Sequence, residues 1–354
     1  MDKSLSKTPS VTVADVARRA GVSKATAARV LGGYGTVSYR VREAVTTAAS
    51  SLDYRPNELA RSMTTGRSGT IGVVVGDIEN PFFSLAVRGI TDIARQAGFT
   101  VILINSGEDA TAEKAAIRTL LAKRVDGLIV SPAKENDVDH LREAIRSGLP
   151  LALLDRCGEA LDVDTVIADD QNAAESITRE LITLGHRRIA YLTACDTPDH
   201  RFHTPRDIST GSVRRRIEGY LGVCREAGLI GMEDWVKVGA VTPERTHRIV
   251  IEMFQSGRRP TAIIASDSII GLEVFRAHRE LGLDIPRDLS LVSFHDADWT
   301  SVTTPPVTVV RQPVYELGAT AAKLLVERLN GEDRAGRKVV LKTEVVERAS
   351  TQAI

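Results

Sequence analysis

The sequence predicts a small all-α head, residues 1–54, followed by a larger α/β body built on parallel sheets, residues 70–354. The head places apolar side chains at helical spacing, whereas the body alternates short β-rich runs with helical segments. Repeated βα units form parallel sheets that helices cover on both faces. Residues 1–67 carry a net charge of +6 and the rest −6, so the neutral chain joins a basic head to an acidic body. This asymmetry suggests a polyanion partner for the head.

Composition excludes several classes of protein. A chain of 354 residues with 43% hydrophobic residues can form two or three domains with a substantial core. No apolar run approaches the roughly 20 residues that cross a bilayer. The segment Met1–Ser10 lacks the apolar core of a secretory signal, so we expect a cytoplasmic protein. The cysteines Cys157, Cys195 and Cys224 are odd in number and widely spaced, which argues against a disulfide framework or a structural zinc site.

Three helices are expected in the head. The period of apolar residues predicts a helix within Val11–Ala20, with Thr12 as its N-cap. After a short turn containing glycine, Ser23 can cap a second helix, Lys24–Leu31, and a third follows at Ser38–Leu52. The first two form a helix-turn-helix, in which the second helix enters the major groove of DNA. On this evidence alone, a helical bundle without a DNA-binding role is the alternative.

The body shows strands and helices in alternation. The expected strands are Ile71–Val75, Thr100–Ile104, Gly127–Val130, Leu151–Leu154, Thr165–Ala168, Ile189–Thr193, Val236–Gly239, Ala262–Ala265 and Leu289–Phe294. The helical segments between them include Ser84–Ala97, Ala112–Lys123, Ala173–Leu184, Val213–Ala227, Glu244–Gln255 and Ser268–Leu281. Open α/β sheets bind ligands beyond the carboxyl ends of their strands.

The residues that follow these strands share aromatic or polar side chains. They are Asn80, Phe82, Phe83, Ser131, Asp155, Arg156, the segment Ser212–Arg216, Ser266, Asp267, His295, Asp296 and Gln312. Aromatic faces combined with carboxylate, guanidinium, hydroxyl and amide groups are typical of a site for a polyhydroxylated ligand. Structural alternatives exist for three of them: Asp155 and Asp267 could cap helices, and Phe83 could belong to the core.

A set of motifs then occurs in a fixed order along the chain. They are VTVADVARRAGVSKATAARVLGG, VSYRVREAV, LDYRPNELARSMTTGRSGTIGVVV, ENPFF, LGHRRIAYL, RRRIEGY, AIIASDS, TTPPVTVVRQP and VVERAST. In these motifs the sequence resembles the lactose/galactose-repressor (LacI) family over nearly its whole length. The resemblance implies a DNA-binding head at 1–54, a hinge helix and linker at 55–69, and an effector-binding and dimerisation core at 70–354.

The resemblance further implies that the core is two-lobed and periplasmic-binding-protein-like. One lobe would comprise about 70–170 plus 300–330, and the other 171–299 plus the C-terminal strand. The cleft between the lobes would close on a small ligand. The family positions that touch effector match Phe82, Ser131, Asp155, Ser212, Arg216, Ser266, His295 and Gln312.

The resemblance also assigns roles within the head. Base edges are read from positions that match Lys24, Ala25 and Arg29. Thr26 and Tyr34 are expected to contact phosphates, which fix register rather than sequence.

The hinge helix is expected to contact DNA through Asn57, Ala60 and Met63. Met63 matches a family leucine that wedges into the minor groove and kinks the duplex. Methionine is apolar and flexible enough for that role, although a buried hinge residue is the alternative.

The sequence departs from the family pattern at two places in the expected site. Many relatives carry an acid where His295 stands, and an imidazole with Arg156 and Arg216 nearby could accept or favour negative charge. Val241 stands where some relatives stack an aromatic ring, which weakens the case for a planar ligand such as a purine. The expected effector is therefore a sugar, with a sugar acid or sugar phosphate as the alternative.

The stretch from Cys195 to Gly211 is longer than the usual connection by roughly eight to ten residues, and loops of such length are commonly functional. It contains four candidate metal ligands, Asp199, His200, His203 and Asp207. Because their spacing is irregular and no helix fixes it, a solvated lip over the cleft is favoured.

Together these features predict a transcriptional regulator controlled by a small ligand, and most often in this family a repressor. It should need no cofactor, contact no membrane and bind a pseudo-palindromic operator as a homodimer, with further pairing to a tetramer left open. The alternative is a sugar-modifying or sugar-binding α/β protein with a fused DNA-binding head. The sequence lacks a Walker loop, a GxSxG elbow and an HExxH motif, so we expect no enzyme. A transporter's solute-binding protein would need an export signal and no basic head.

Overall fold

A computed structural model describes residues 11–55, 66–158 and 160–354 of the chain. They divide into two units between Ser68 and Gly69. The expected hinge contacts Asn57, Ala60 and Met63 lie outside the described residues. Within these ranges, no helix has both the length and the apolar character needed to cross a membrane.

The head unit contains three helices, α1 (Val13–Ala20), α2 (Lys24–Gly32) and α3 (Tyr39–Ser51). Thr12 caps α1, because its hydroxyl accepts from the Asp15 amide while the Asp15 carboxylate accepts from the Thr12 amide. Such a capping box satisfies two amide groups that the helix itself leaves unpaired. The expected caps Thr12 and Ser23 are confirmed.

One buried residue from each helix closes the centre of the head. Val16, Ala27 and Val45 are fully buried and lie in one apolar cluster. The turn between α1 and α2 depends on Gly21, whose φ of +65° is in the left-handed region that favours glycine. The head is therefore a helix-turn-helix supported by a third helix.

The body contains twelve strands among the described residues. They are β1 (Thr70–Val75), β2 (Thr100–Asn105), β3 (Gly127–Val130), β4 (Leu151–Leu154), β5 (Asp164–Ala168), β6 (Ile189–Leu192), β7 (Val236–Lys237), β8 (Ala262–Ala265), β9 (Ser290–Phe294), β10 (Thr308–Arg311), β11 (Lys338–Leu341) and β12 (Glu344–Val346). The α-helices are α4 (Pro81–Gln96), α5 (Ala110–Ala122), α6 (Asp139–Arg146), α7 (Asp170–Thr183), α8 (Gly211–Glu226), α9 (Pro243–Gln255), α10 (Ser268–Glu280), α11 (Asp298–Val302) and α12 (Val314–Leu329).

The strands form two six-stranded sheets, one in each lobe. The first has the order β11-β5-β4-β3-β1-β2, and all its pairs are parallel. The second has the order β12-β10-β9-β8-β6-β7, in which only β12 runs antiparallel to its neighbour. In β3, β4, β6 and β8 every residue is buried, as expected for strands covered by helices on both faces. The predicted parallel α/β core is confirmed.

The chain passes between the lobes at three places, and one expected lobe boundary was wrong. The block 300–330 was assigned to the first lobe, but β10 lies in the second sheet beside β9. Val309 and Val310 are fully buried in the second lobe's core, and burial of these apolar side chains holds the strand there. Only α12, which packs against α4, belongs to the first lobe. The other crossings lie between β5 and α7 and between β11 and β12.

Candidate functional site

The carboxyl ends of strands from the two sheets face each other across a cleft. Asp155, directly after β4, accepts a hydrogen bond from Ser212 Oγ of the second lobe at 3.2 Å. The Phe82 ring, near the start of α4, lies 6.3 Å from the His295 ring, which follows β9. Strand ends that are distant in sequence therefore meet, and most of the predicted ligand residues lie at this junction.

Asp155 occupies the centre of the cleft in an unusual backbone conformation. Its φ is +66°, a value that costs energy for a residue with a side chain and that often accompanies function. One carboxylate oxygen accepts from Ser212 and lies 3.6 Å from Arg156 Nε, while the other, Oδ1, is buried and has no hydrogen-bond partner among the described residues. These side-chain contacts do not support the alternative of a helix cap, whereas Asp267 does cap α10 through the amides of Ile269 and Ile270.

Arg216 is buried between a carboxylate and an aromatic ring. Its Nε donates to Asp170 at 2.7 Å, its Nη1 donates to the Ser266 carbonyl at 2.8 Å, and its guanidinium lies 4.3 Å from the centre of the Phe294 ring. Burial raises the pKa of Asp170 to about 6, and the charge of Arg216 opposes this rise. The positive charge of Arg216 is thus matched within the protein.

Arg156 is matched in the same way. It donates to both carboxylate oxygens of Glu108, at 2.6 and 2.8 Å, and to the Pro132 carbonyl at 3.0 Å. Gly76 permits this approach, because a Cβ at that position would collide with the Glu108 carboxylate. The inference that Arg156 and Arg216 leave the site open to negative charge is weakened, since each already has a carboxylate partner.

The imidazole of His295 is buried at the edge of the cleft. Burial lowers the pKa of His295, the nearby charge of Arg216 lowers it further, and Asp296 opposes both effects. Asp296 is itself held by Arg311 and Arg348, at 2.7 Å each. The ring is therefore neutral at pH 7, and it offers one donor and one acceptor rather than a charge.

Phe83 belongs to the core rather than to the exposed cleft wall. It is buried in the apolar cluster of the first lobe, and its ring lies 5.3 Å from the Phe82 ring. The Arg156 guanidinium lies 5.7 Å from the centre of the Phe83 ring, so Phe83 contributes to the site by packing near Arg156.

Several buried polar atoms of the cleft have no hydrogen-bond partner in the described part of the chain. They are Ser131 Oγ, Asp155 Oδ1, Arg156 Nε, Asp170 Oδ2, Tyr191 Oη, Arg215 Nε and Nη2, His295 Nδ1 and Gln312 Nε2. Buried polar groups are normally paired, so such a cluster marks a place where a ligand's polar groups can bind. The set mixes donors and acceptors from both lobes. A cavity of about 390 Å³ opens beside His295 and Gln312.

The sequence analysis did not single out four residues of this network. Glu108 and Asp170 lie just beyond β2 and β5, so the strand-end rule would have found them if it had been applied to every strand. Arg215 was included only as part of the segment Ser212–Arg216, where it stands in a run of three arginines. Tyr191 lies within β6 and carries no sequence signal of its role.

The long stretch 195–211 is anchored to the second lobe. Phe202 is buried in that lobe's core, so the expected solvated lip has an apolar anchor. His200 pairs with Asp196 at 2.8 Å and His203 pairs with Asp199 at 2.7 Å. No group of three or more potential metal ligands forms anywhere in the residues that the structure describes.

In the head, the predicted base-reading residues lie on the solvent side of α2. Lys24, Ala25 and Arg29 are exposed, and Lys24 and Arg29 form no ion pair with any described residue. The Thr26 hydroxyl contacts the capping Ser23 hydroxyl at 2.8 Å, and Tyr34 is 47% exposed just after the helix. This surface combines free cations with a helix N-terminus, a combination suited to DNA phosphates and guanine edges.

Two family models match the chain and together cover nearly all of it. Residues 12–57 match the model described as bacterial regulatory proteins, lacI family. Residues 68–349 match the model described as periplasmic binding proteins and sugar binding domain of LacI family.

Individual relatives agree with these matches. Catabolite control protein A from Priestia megaterium is 30% identical over 97% of this chain and 99% of its own length. A crystal structure of a lac repressor dimer bound to operator and the anti-inducer ONPF is similar with a TM-score of 0.84 and 28% identity, covering 98% of this chain and 100% of the other. A complex of the transcriptional regulator CelR with cellobiose has a TM-score of 0.69 and 27% identity, covering 96% and 99%.

Proposed function

The chain belongs to the LacI family of ligand-controlled, DNA-binding transcriptional regulators, and from this premise we propose that it represses its target genes under the control of a neutral sugar. It binds a pseudo-palindromic operator as a homodimer and acts in the cytoplasm. The operator-bound dimer of the similar lac repressor structure supports the first part of this proposal. The cellobiose of the similar CelR complex supports a sugar ligand.

The observation that carries the choice of a neutral ligand is the charge matching in the cleft. Glu108 pairs with Arg156 and Asp170 pairs with Arg216, so these two guanidiniums have no unmatched charge to offer a sugar acid or phosphate. The guanidinium of Arg215 lies between two carboxylates, 3.6 Å from Glu135 and 4.0 Å from Asp170. An anionic ligand would also meet the carboxylate of Asp155. Hydroxyl groups both donate and accept, which fits the mixture of unpaired donors and acceptors.

The proposed control is linkage between the cleft and the DNA-binding head. A ligand that contacts both lobes binds more tightly when they are closed, and it shifts the population toward that arrangement. The same shift changes operator affinity, and by reciprocity operator binding changes ligand affinity. In this mechanism the cleft binds and releases the sugar without changing it chemically.

Two measurements test this proposal. The chain should bind a sequence-specific site in the promoter DNA beside its own gene, with an affinity that falls steeply as salt concentration rises. A panel of sugars, sugar acids and sugar phosphates should include a neutral sugar that raises the thermal unfolding temperature and changes operator affinity. Absence of any specific operator would contradict the regulator function, and a response to anionic ligands alone would contradict the neutral effector.

A further inference from the structure

Glu135 is a buried carboxylate of the first lobe whose partners lie mostly in the second. It follows β3, four residues after Ser131, and is only 6% exposed. Its Oε2 accepts from Arg214 Nη2 at 2.5 Å, and its Oε1 lies 3.6 Å from Arg215 Nη1. Its backbone amide donates across the cleft to the Ser209 carbonyl at 3.3 Å.

The same carboxylate is fixed within its own lobe. Oε1 accepts from the Cys157 amide at 2.8 Å, and Cys157 lies two residues beyond Asp155. The buried carboxylate thus has one neutral amide donor, one charge-assisted hydrogen bond from Arg214 and a second cation, Arg215, at 3.6 Å, and the charge-assisted bond is stronger than a neutral one. Glu135 therefore joins the β4 end of the first lobe to the start of α8.

The start of α8 is shaped to receive this carboxylate. Gly211, the first residue of the helix, packs so closely that a Cβ there would collide with the Glu135 carboxylate. The next residues of α8 include Ser212 and Arg216, both in the effector cleft. The position of Glu135 thus sets where α8 lies against the first lobe.

We propose that Glu135 is a positioning residue that latches the two lobes together and so presents Ser212 and Arg216 to the effector. The latch holds part of the closed arrangement before ligand binds, which preorganises the site and raises effector affinity. This inference rests on the proposed function, because it supposes a ligand held between closed lobes. The experiment below needs neither ligand nor DNA.

The test is hydrogen–deuterium exchange of the full chain in four variants. Glu135→Gln removes the charge at constant size, and Gly211→Ala pushes the carboxylate away from α8. Their matched controls are Glu143→Gln, on an exposed position of α6, and Gly222→Ala, on α8 with open space around it.

In both test variants we expect the protection of backbone amides against exchange to fall about tenfold in residues 131–138 and 207–214. In both controls the protection of these amides should equal that of the wild type. A loss in 207–214 caused by Glu135→Gln would show coupling across the cleft, because a role confined to the first lobe would change only residues 131–138. Wild-type protection of 207–214 in both test variants would overturn the proposal.

Two further measurements separate a local effect on the lobe contact from a disturbed fold and from a failure of the proposed function. If Gly211→Ala lowers protection in β1 and β8 as well, it has disturbed the fold, and the isosteric Glu135→Gln decides the question. Operator binding by the wild-type chain is measured in parallel. If the wild-type chain binds no operator, the proposed function is contradicted. The exchange result still tests whether Glu135 links the two lobes.

Discussion

Replacing Arg216 by methionine should destabilise the second lobe strongly. Methionine keeps apolar volume in place of the arginine stem, but it removes the guanidinium that lies 4.3 Å from the centre of the Phe294 ring and that donates the hydrogen bond to Asp170, which is fully buried. Breaking a buried ion pair by deleting one member typically costs about 3–5 kcal/mol, because the other charge stays buried and unpaired. We therefore expect a loss of about 3–4 kcal/mol in the free energy of unfolding at pH 8.

The loss should depend on pH in a defined direction. Burial raises the pKa of Asp170 to about 6 in the wild type, and Arg216 opposes the rise. Without Arg216 the pKa of Asp170 rises further above its unfolded value. A raised carboxyl pKa means that the folded state binds the proton more tightly, so stability falls as pH increases toward the folded pKa. The difference between variant and wild type should therefore widen from pH 6 to pH 8.

The assay can use the two tryptophans of the chain, Trp235 and Trp299, both of which lie in the second lobe. Urea unfolding followed by their fluorescence reports on the lobe that contains the Arg216–Asp170 pair. The control is Arg225→Met on the exposed end of α8, which should cost less than about 0.5 kcal/mol. The double variant Arg216→Met with Asp170→Asn should recover part of the loss, because no charge is left buried.

Three results would refute this reasoning. A loss below about 1 kcal/mol would mean that Asp170 finds another partner or water. An equal loss at pH 6 and pH 8 would mean that Asp170 does not titrate in this range. A double variant no more stable than Arg216→Met would show that the cost comes from lost packing rather than from the unpaired carboxylate.

Three further predictions concern the ligand, the DNA and the fold. Glu108→Gln should free the charge of Arg156 and raise affinity for sugar acids about tenfold relative to neutral sugars, measured by thermal shift; an unchanged preference would contradict the charge matching. Lys24→Ala and Arg29→Ala should each weaken operator binding by about 1–3 kcal/mol in a mobility-shift titration while leaving the ligand-induced thermal shift intact. Urea midpoints should fall as pH drops from 7 to 5, since protonation favours the unfolded state when burial lowers a histidine pKa, and three histidines act in this direction against the opposing contribution of Asp170, whose pKa is raised. A midpoint that is flat or rises over this range would count against the assignment. Burial lowers the pKa of His186, His278 and His295.

Much of the fold could be predicted because the signals are local. The strands β3, β4 and β8 match their expected residues at both ends, since each is a short apolar run between polar or turn-forming residues. The caps Thr12 and Ser23 act on amides three residues away. Such features depend only on neighbours in the chain.

The strand β10 was missed because its local signals conflict. Pro305 and Pro306 stand just before it, and proline is a signal for a turn or loop. The strand forms because Val309 and Val310 fill the core of the second lobe, a contact with partners distant in sequence. The lobe boundary was misplaced for the same reason.

The position of the candidate site residues at the strand ends could be predicted from the sequence, but their ion-pair partners could not. Arg156 and Glu108 are 48 residues apart, and Arg216 and Asp170 are 46 residues apart. Only the packed sheets bring these partners together. A list of strand-end residues therefore suggested a cationic site, whereas the folded chain pairs both guanidiniums.

The cations at the expected base-reading positions of the head are exposed and form no ion pair with any described residue, whereas Arg156 and Arg216 of the body are buried in ion pairs. This difference favours a polyanion as the ligand of the head and a neutral molecule as the ligand of the body. Lys24 and Arg29 are exposed and form no ion pair with a described residue, so their charge is available to a polyanion. Arg156 and Arg216 are buried and paired, so moving a phosphate into the cleft would cost desolvation without an unmatched cation to repay it. Under the proposed function, the pairing of Arg156 with Glu108 and of Arg216 with Asp170 disfavours anionic ligands, while the hydroxyls of a neutral sugar can still pair with the remaining donors and acceptors.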